Sequence, residues 1–217
     1  MNPKVESIQI FAVPIFRILL EGLSDELGLE KIVRDHVYQG KPRPRDPILV
    51  AGVPSVFQSK SNLQTENVME PFNKKMVEVM GDVIEQHGID SSYEIEITSM
   101  WGNIQPQGHA FHRHSHHNNM FAAVYYVNQT ELEKFPNIIF WNDRRNLQLS
   151  PIRNYSHPYN HNRFFIELKK DLLVIFPAWV EHEVSMNTSS KDRMSIAFNV
   201  MLRGRFAEIN SNESTIL

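Results

Sequence analysis

The chain has 217 residues, of which 41% are hydrophobic and 22% are charged, and its formal net charge is −3. This balance predicts one soluble globular domain and gives no sign of a surface for nucleic acid or acidic membranes. The absence of cysteine excludes disulfides, thiolate metal sites and a cysteine nucleophile. Because the first residues form neither a secretion signal nor an apolar segment long enough to cross a bilayer, we predict a cytoplasmic protein.

The N-terminal part carries helical patterns. Residues 5–20 predict an extended segment followed by a short helix, and residues 24–37 and 66–88 place apolar side chains at helical spacing. Gly88 suits the C-terminal end of the last of these helices. The prolines and basic residues between Gly40 and Pro47 predict a loop.

After residue 90, short β-type runs alternate with turn residues. Helical patterns in the first part of the chain and many strand patterns after residue 90 predict helices packed on a β-barrel or a double-sheet jelly roll. We expect a single domain over 1–217, with a helical part over about 1–90, a β core over about 91–205 and a polar, frayed tail over 208–217. The predicted strands are Tyr93–Ile97, Phe121–Val127, Asn137–Trp141, Phe164–Leu168, Leu172–Phe176 and Met194–Leu202.

A cluster of histidines predicts a metal site. Five of the ten histidines lie between His109 and His117. Residues two apart on a strand share a face, so His114, His116 and Asn118 would project together. Neutral imidazole is a common ligand of iron, zinc and copper, and two imidazoles on one face can hold one ion.

A third histidine and a competing register complete this hypothesis. His182 follows an apolar run and would supply a distant ligand. His112 and His114 form an alternative pair, and spacing alone does not choose between the two registers. His109 and His117 are candidates for contacts outside the ligand set. The remaining histidines are interpreted as ordinary exposed side chains: His36, His87, His157 and His161.

The run from Arg193 to Leu202 alternates over its whole length. One face is apolar, whereas the other carries Arg193, Ser195 and Asn199. The default interpretation of this polar face is the solvent side of a sheet. The alternative is a barrel interior that binds an anion, with Arg193 holding a carboxylate through its planar guanidinium and Ser195 adding a hydrogen bond.

Taken together, these motifs resemble the 2-oxoglutarate- and Fe(II)-dependent oxygenases, and more narrowly a family of small oxygenases of marine bacteria and phages. The resemblance covers most of the chain. It is carried by the segments Trp101–Ile104, His114–Asn118, Val124–Val127, Ile139–Arg144, Leu173–His182 and Arg193–Asn199, with Phe11–Pro14 and Gln58–Leu63 in the N-terminal part.

The resemblance implies a double-stranded β-helix, a cupin-like jelly roll with the metal inside. It implies Fe(II) bound by His114, His116 and His182, with 2-oxoglutarate and O2 as cosubstrates. Arg193 would pair with the far carboxylate of 2-oxoglutarate, and Tyr126 stands where related enzymes often place a hydrogen-bonding tyrosine. The predicted cosubstrate contacts are Arg193, Ser195, Tyr126, Asn118 and Asn199.

One position departs from the pattern of the wider superfamily. The usual second ligand is an aspartate or glutamate, whereas this chain has His116 there. The change removes a negative charge from the metal and should alter its iron affinity and redox behaviour. The implied reaction hydroxylates a C–H bond and releases succinate and CO2. Two alternatives stay open: a three-histidine cupin-type dioxygenase that uses no keto acid, and a non-catalytic metal-binding barrel.

The substrate does not follow from the sequence. We expect a small-molecule or peptide substrate and neither a nucleic-acid nor a membrane partner, and we leave the oligomeric state open with a homodimer as a guess. The candidates for substrate contact at the barrel mouth are Asn103, Gln105, Arg144, Arg145 and the loop Arg145–Asn162, which could act as a lid.

Overall fold

The computed structural model describes residues 12–39, 43–44, 57–128, 136–142, 162–207 and 212–217. Strands dominate these ranges. The helices are α1 (Leu23–Glu26), α2 (Leu29–Gln39) and α3 (Glu70–Gln86). The strands are β1 (Phe16–Leu19), β2 (Arg43–Pro44), β3 (Phe57–Gln58), β4 (Glu94–Gln105), β5 (Phe111–His114), β6 (Phe121–Tyr126), β7 (Asn137–Trp141), β8 (Arg163–Glu167), β9 (Leu172–Pro177), β10 (His182–Val184), β11 (Arg193–Arg203), β12 (Arg205–Phe206) and β13 (Thr215–Ile216).

Two antiparallel sheets form the body of the protein. The larger sheet has the order β1-β9-β6-β11-β4-β3-β2, and the smaller sheet has the order β5-β10-β7-β8. Apolar side chains of both sheets share one core, in which Val174 and Phe176 of the larger sheet meet Ile138, Phe140 and Ile166 of the smaller sheet. This is the two-sheet jelly roll that the pattern of strands predicted.

The helices cover the outer face of the larger sheet. Phe72 of α3 lies with its ring 5.3 Å from Tyr125 of β6 and 6.4 Å from Phe198 of β11. Val33 and Val37 of α2 belong to the same core. The central strands are therefore buried on both faces, which explains why β6 and β9 are apolar almost throughout.

Three N- and C-terminal predictions need correction. The helix predicted over 24–37 is split into α1 and α2, because Gly28 takes a φ of 61° that ends the first turn. The short helix predicted within 5–20 is absent over 12–20, where β1 pairs with β9 instead. The predicted tail is ordered over 212–217, where β13 pairs with β12.

Several predictions fall on parts of the chain outside the described residues. These include Arg144, Arg145, most of the loop Arg145–Asn162 and most of the loop between Gly40 and Pro47. Within the described residues, every helix is too short or too polar to cross a membrane.

Candidate metal centre

The side chains of three histidines lie close together. His114 ends β5 and His182 begins β10, and the two are direct partners in the antiparallel register. His116 follows β5 in a segment whose backbone N–H donates to the carbonyl oxygen of Ala178 at 2.8 Å. One ring nitrogen of each histidine lies within 4.8 Å of the corresponding atoms of the other two. Three imidazoles at this spacing can share one metal ion.

The second ring nitrogen of each histidine already has a partner. Nδ1 of His114 lies 2.6 Å from the carbonyl oxygen of His112, and Nδ1 of His182 lies 3.1 Å from that of Val180. Nδ1 of His116 lies 2.5 Å from Oδ1 of Asn199. Because these acceptors require a proton on Nδ1, Nε2 is left as the metal-binding atom in all three rings.

Asn199 is the side chain that orients His116. Its Nδ2 donates to Oγ of Ser99 at 2.9 Å, which leaves its Oδ1 for the histidine. The ring of Trp101 also stacks on His116, with centroids 5.7 Å apart. Asn199 was predicted to contact the cosubstrate, whereas the structure places it against a candidate ligand.

The other residues of the histidine cluster lie outside the triad. His112 is exposed and contributes its carbonyl oxygen. His109 is buried with its Nδ1 3.1 Å from the carbonyl oxygen of Gln107, and His117 is exposed. The predicted common face for Asn118 is wrong, because β5 ends at His114 and Asn118 is exposed in a turn with a φ of 60°.

Arg193 lies deep inside the barrel. It is 3% exposed, and its Nη1 donates to Oε1 of Gln105 at 3.2 Å and to the carbonyl oxygen of Ser185 at 2.9 Å. Burial lowers the pKa of Arg193 to about 10, because desolvation disfavours the charged form. The guanidinium stays protonated at neutral pH, so the interior carries a buried positive charge. The default interpretation of this face as the solvent side of a sheet is therefore wrong.

Tyr126 lies beside this charge. It is 1% exposed, and its hydroxyl has no hydrogen-bond partner among the described residues. Burial raises the pKa of Tyr126 and the nearby Arg193 opposes that rise. A buried hydroxyl without a partner costs about 1–3 kcal/mol, which a polar ligand beside it would offset.

Polar side chains extend from β6 across β11 and β4 to β3. Ser195 is the register partner of both Tyr126 and Asn103. Nδ2 of Asn103 donates to Oγ of Ser195 at 3.3 Å, and Nε2 of Gln58 donates to Oδ1 of Asn103 at 2.8 Å. Ser195, Asn103 and Gln58 line a small cavity of about 30 Å³ that the three histidines also line. The candidate metal site therefore shares a pocket with these polar side chains.

Sequence reasoning missed part of this lining. Trp101, Gln58 and Phe111 face the cavity but were not predicted site residues. The spacing of Trp101, Asn103 and Gln105 at alternate positions of β4 could have indicated that Trp101 shares a face with the predicted site residues. Gln105 was expected to contact substrate, whereas it holds Arg193.

Residues 99–199 match the model of a family described as "Putative 2OG-Fe(II) oxygenase". This segment contains the three histidines of the triad as well as Arg193 and Ser195. No curated protein sequence matches the chain.

Solved structures of similar fold cover nearly the whole chain. A prolyl-4-hydroxylase of Pseudomonas putida has a TM-score of 0.59 at 13% identity, covering 86% of this chain and 92% of that chain. The non-heme alpha ketoglutarate dependent epimerase SnoN from nogalamycin biosynthesis has a TM-score of 0.63 at 10% identity, covering 92% and 81%. HygX from Streptomyces hygroscopicus, with nickel, 2-oxoglutarate and hygromycin B bound, has a TM-score of 0.57 at 10% identity, covering 87% and 83%.

At these identities the structural likeness establishes the fold, and it confirms the predicted double-stranded β-helix. The similarity to a family lies in the matching segment, which spans the central strands and every residue of the triad. Residues 99–199 are therefore similar to the 2OG-Fe(II) oxygenases, enzymes that depend on Fe(II), 2-oxoglutarate and O2.

Proposed function

We propose that this protein hydroxylates a C–H bond of a small molecule or peptide. In that reaction O2 supplies one oxygen atom to the new hydroxyl and the other to succinate, as 2-oxoglutarate loses CO2. The observation that carries the proposal is the joint presence, in one barrel, of three converging imidazoles and the buried guanidinium of Arg193.

His114, His116 and His182 are the proposed ligands of Fe(II). Their donor set fits the metal, because three neutral imidazoles are presented through Nε2 with their Nδ1 atoms held. Held by these three residues, Fe(II) would supply the redox chemistry by which O2 reacts with 2-oxoglutarate.

Arg193, Tyr126 and Ser195 are the proposed contacts of 2-oxoglutarate. The charge of Arg193 would pair with the far carboxylate, and the hydroxyl of Tyr126 would gain a partner. Burial strengthens these contacts because little water competes for them. Along β11, Ser195 lies between Arg193 and Asn199, and its side chain lines the cavity.

A small molecule or peptide is the proposed substrate class. Among proteins of similar fold, HygX has hygromycin B bound, and a prolyl hydroxylase from Trichoplax adhaerens is in complex with a peptide fragment of hypoxia inducible factor.

His116 favours a second candidate, a three-histidine dioxygenase that uses no keto acid. Such an enzyme needs the triad but has no use for a buried cation in the same barrel. The position of Arg193 therefore favours the keto-acid reaction.

An anaerobic titration with Fe(II) and 2-oxoglutarate tests the proposal. The wild-type protein should bind both and develop a visible charge-transfer band. Arg193→Ala removes charged hydrogen bonds worth about 1.5–3 kcal/mol each, so it should raise the dissociation constant for 2-oxoglutarate at least tenfold. Arg203→Ala, on the same strand but at the partly exposed end, serves as the control and should behave as wild type.

The histidine ligands are tested in the same titration. His182→Ala should abolish iron binding. Iron binding by the wild type without the band and without succinate formation would overturn the keto-acid reaction, and full iron stoichiometry in His182→Ala would overturn the ligand set.

A further inference from the structure

Strand β8 lies at the edge of the smaller sheet and exposes two large aromatic side chains. Within the described residues it pairs with β7 alone. Phe164 is 53% exposed and Phe165 is 50% exposed. An open strand edge with exposed apolar side chains is a template for pairing with another strand.

The sequence of β8 is complementary to itself in the antiparallel direction. The strand runs Arg163-Phe-Phe-Ile-Glu167, so a basic and an acidic residue lie at equal distances from Phe165. In an antiparallel pair of two such strands centred on Phe165, Arg163 of each copy faces Glu167 of the other. Phe164 faces Ile166, and Phe165 faces its own counterpart.

We propose that two copies of this chain associate through β8, with a two-fold axis at Phe165. A two-fold interface uses the same surface on both copies, as this strand allows. Opposite charges that face each other across strands stabilise the pair, whereas like charges destabilise it. A parallel arrangement in register would set Arg163 against Arg163, so the charge pattern selects the antiparallel one.

On the outer face of the smaller sheet, Arg163 lies beside two aromatic rings. The guanidinium carbon of Arg163 lies 5.2 Å from the ring centre of Trp141 and 5.4 Å from that of Phe165. Arg163, Phe165 and Glu167 lie two residues apart and so share one face of the strand.

Paired through β8, the two small sheets become one sheet of eight strands. The strand has five residues, so the interface is short and we expect a dimer that dissociates on dilution.

Charge reversal tests the pairing. The wild-type protein should show a concentration-dependent dimer in sedimentation velocity. Because each substitution alters two symmetry-related pairs, Arg163→Glu and Glu167→Arg should each raise the dimer dissociation constant about tenfold. The double variant restores opposite charges and should recover the dimer. Arg17→Glu, an exposed arginine on the edge strand β1 of the other sheet, is the control and should not change the dissociation constant.

Introduced cysteines test the register, since the chain has no native cysteine. Residue 165 faces its counterpart, at a distance that suits a disulfide. Phe165→Cys should therefore form a covalent dimer on mild oxidation. Phe164→Cys is equally exposed but faces residue 166 of the second copy, so it should cross-link far less.

Circular dichroism of every variant verifies that it is folded. A wild-type protein that stays monomeric at all concentrations would overturn the proposal. A dimer that survives both single reversals, or equal cross-linking of the two cysteine variants, would overturn it as well, because the contact would then lie elsewhere.

Discussion

The three candidate ligands differ in what holds them. His114 and His182 are oriented by backbone carbonyl oxygens, whereas His116 depends on the side chain of Asn199. A backbone carbonyl oxygen remains when the residue that carries it is substituted, whereas a substitution of Asn199 removes the acceptor of His116. Since the resemblance to the oxygenases places His116 where a carboxylate is usual, Asn199 is the residue through which this proposed ligand can be tested.

Asn199→Leu should weaken Fe(II) binding. The substitution leaves Nδ1 of His116 without its acceptor, and loss of such partners typically costs 10–100-fold in metal affinity. Asn199→Asp keeps an acceptor and should retain tight binding. Anaerobic isothermal titration with Fe(II) measures both. Gln58→Leu, which lines the cavity but contacts Asn103, is the matched control, and unaltered affinity in Asn199→Leu would contradict this role.

Gln105→Glu should weaken 2-oxoglutarate binding without weakening Fe(II) binding. Oε1 of Gln105 lies 3.2 Å from Nη1 of Arg193, so a carboxylate there would neutralise the charge proposed to hold the cosubstrate. A rise of about tenfold in the dissociation constant corresponds to about 1.4 kcal/mol. The charge-transfer band reports the titration. Gln107→Glu, an exposed change two residues away, is the control, and an equal effect of both variants would speak against the contact.

At the scale of elements, a buried carboxylate joins α1 to the larger sheet. Asp171, just before β9, accepts hydrogen bonds from the backbone N–H groups of Gly22 and Ser24 at 2.9 and 3.0 Å and from the hydroxyl of Tyr125 at 2.5 Å. Burial raises the pKa of this carboxyl, but the hydrogen bonds from Ser24, Tyr125 and Gly22 outweigh it, so the pKa lies below its usual value.

Asp171→Asn should lower the free energy of unfolding by about 1–3 kcal/mol at pH 7, because buried donors lose a charged acceptor. A pKa that is lower in the folded state stabilises the protein above the unfolded-state pKa of about 3.9, and this contribution is lost as the pH falls through the folded-state pKa. The difference between the two proteins should therefore shrink between pH 7 and about pH 3.

Urea unfolding at a series of pH values measures this difference. Asp35→Asn, an exposed change on α2, should leave stability nearly unaltered. A loss for Asp171→Asn that is the same at every pH would show that its ionisation does not contribute.

Most of the strands that the sequence predicted bury apolar surface. Runs such as β6 and β9 are buried at every position, so their composition alone marks them as strands. Strands β5 and β10 have only four and three residues and carry polar side chains. They form because β10 pairs with β5 on one side and with β7 on the other, and such non-local pairing leaves no local pattern.

At the scale of the whole molecule, the site depends on how the two sheets face each other. The alternation of β11 showed which residues share a face, but a polar face of a strand is usually the solvent side. Only the closure of the smaller sheet over it turns Arg193, Ser195 and Asn199 into the lining of an interior. The histidine register was open for a related reason, since Asn199 and His182 reach His116 from distant strands.

A crystal structure of the protein with Fe(II) and 2-oxoglutarate, obtained without oxygen, would test both proposed binding sites at once. We expect one iron bound by Nε2 of His114, His116 and His182, with 2-oxoglutarate on that iron and its far carboxylate against Arg193. Iron bound outside this triad, or 2-oxoglutarate bound away from Arg193, would contradict it.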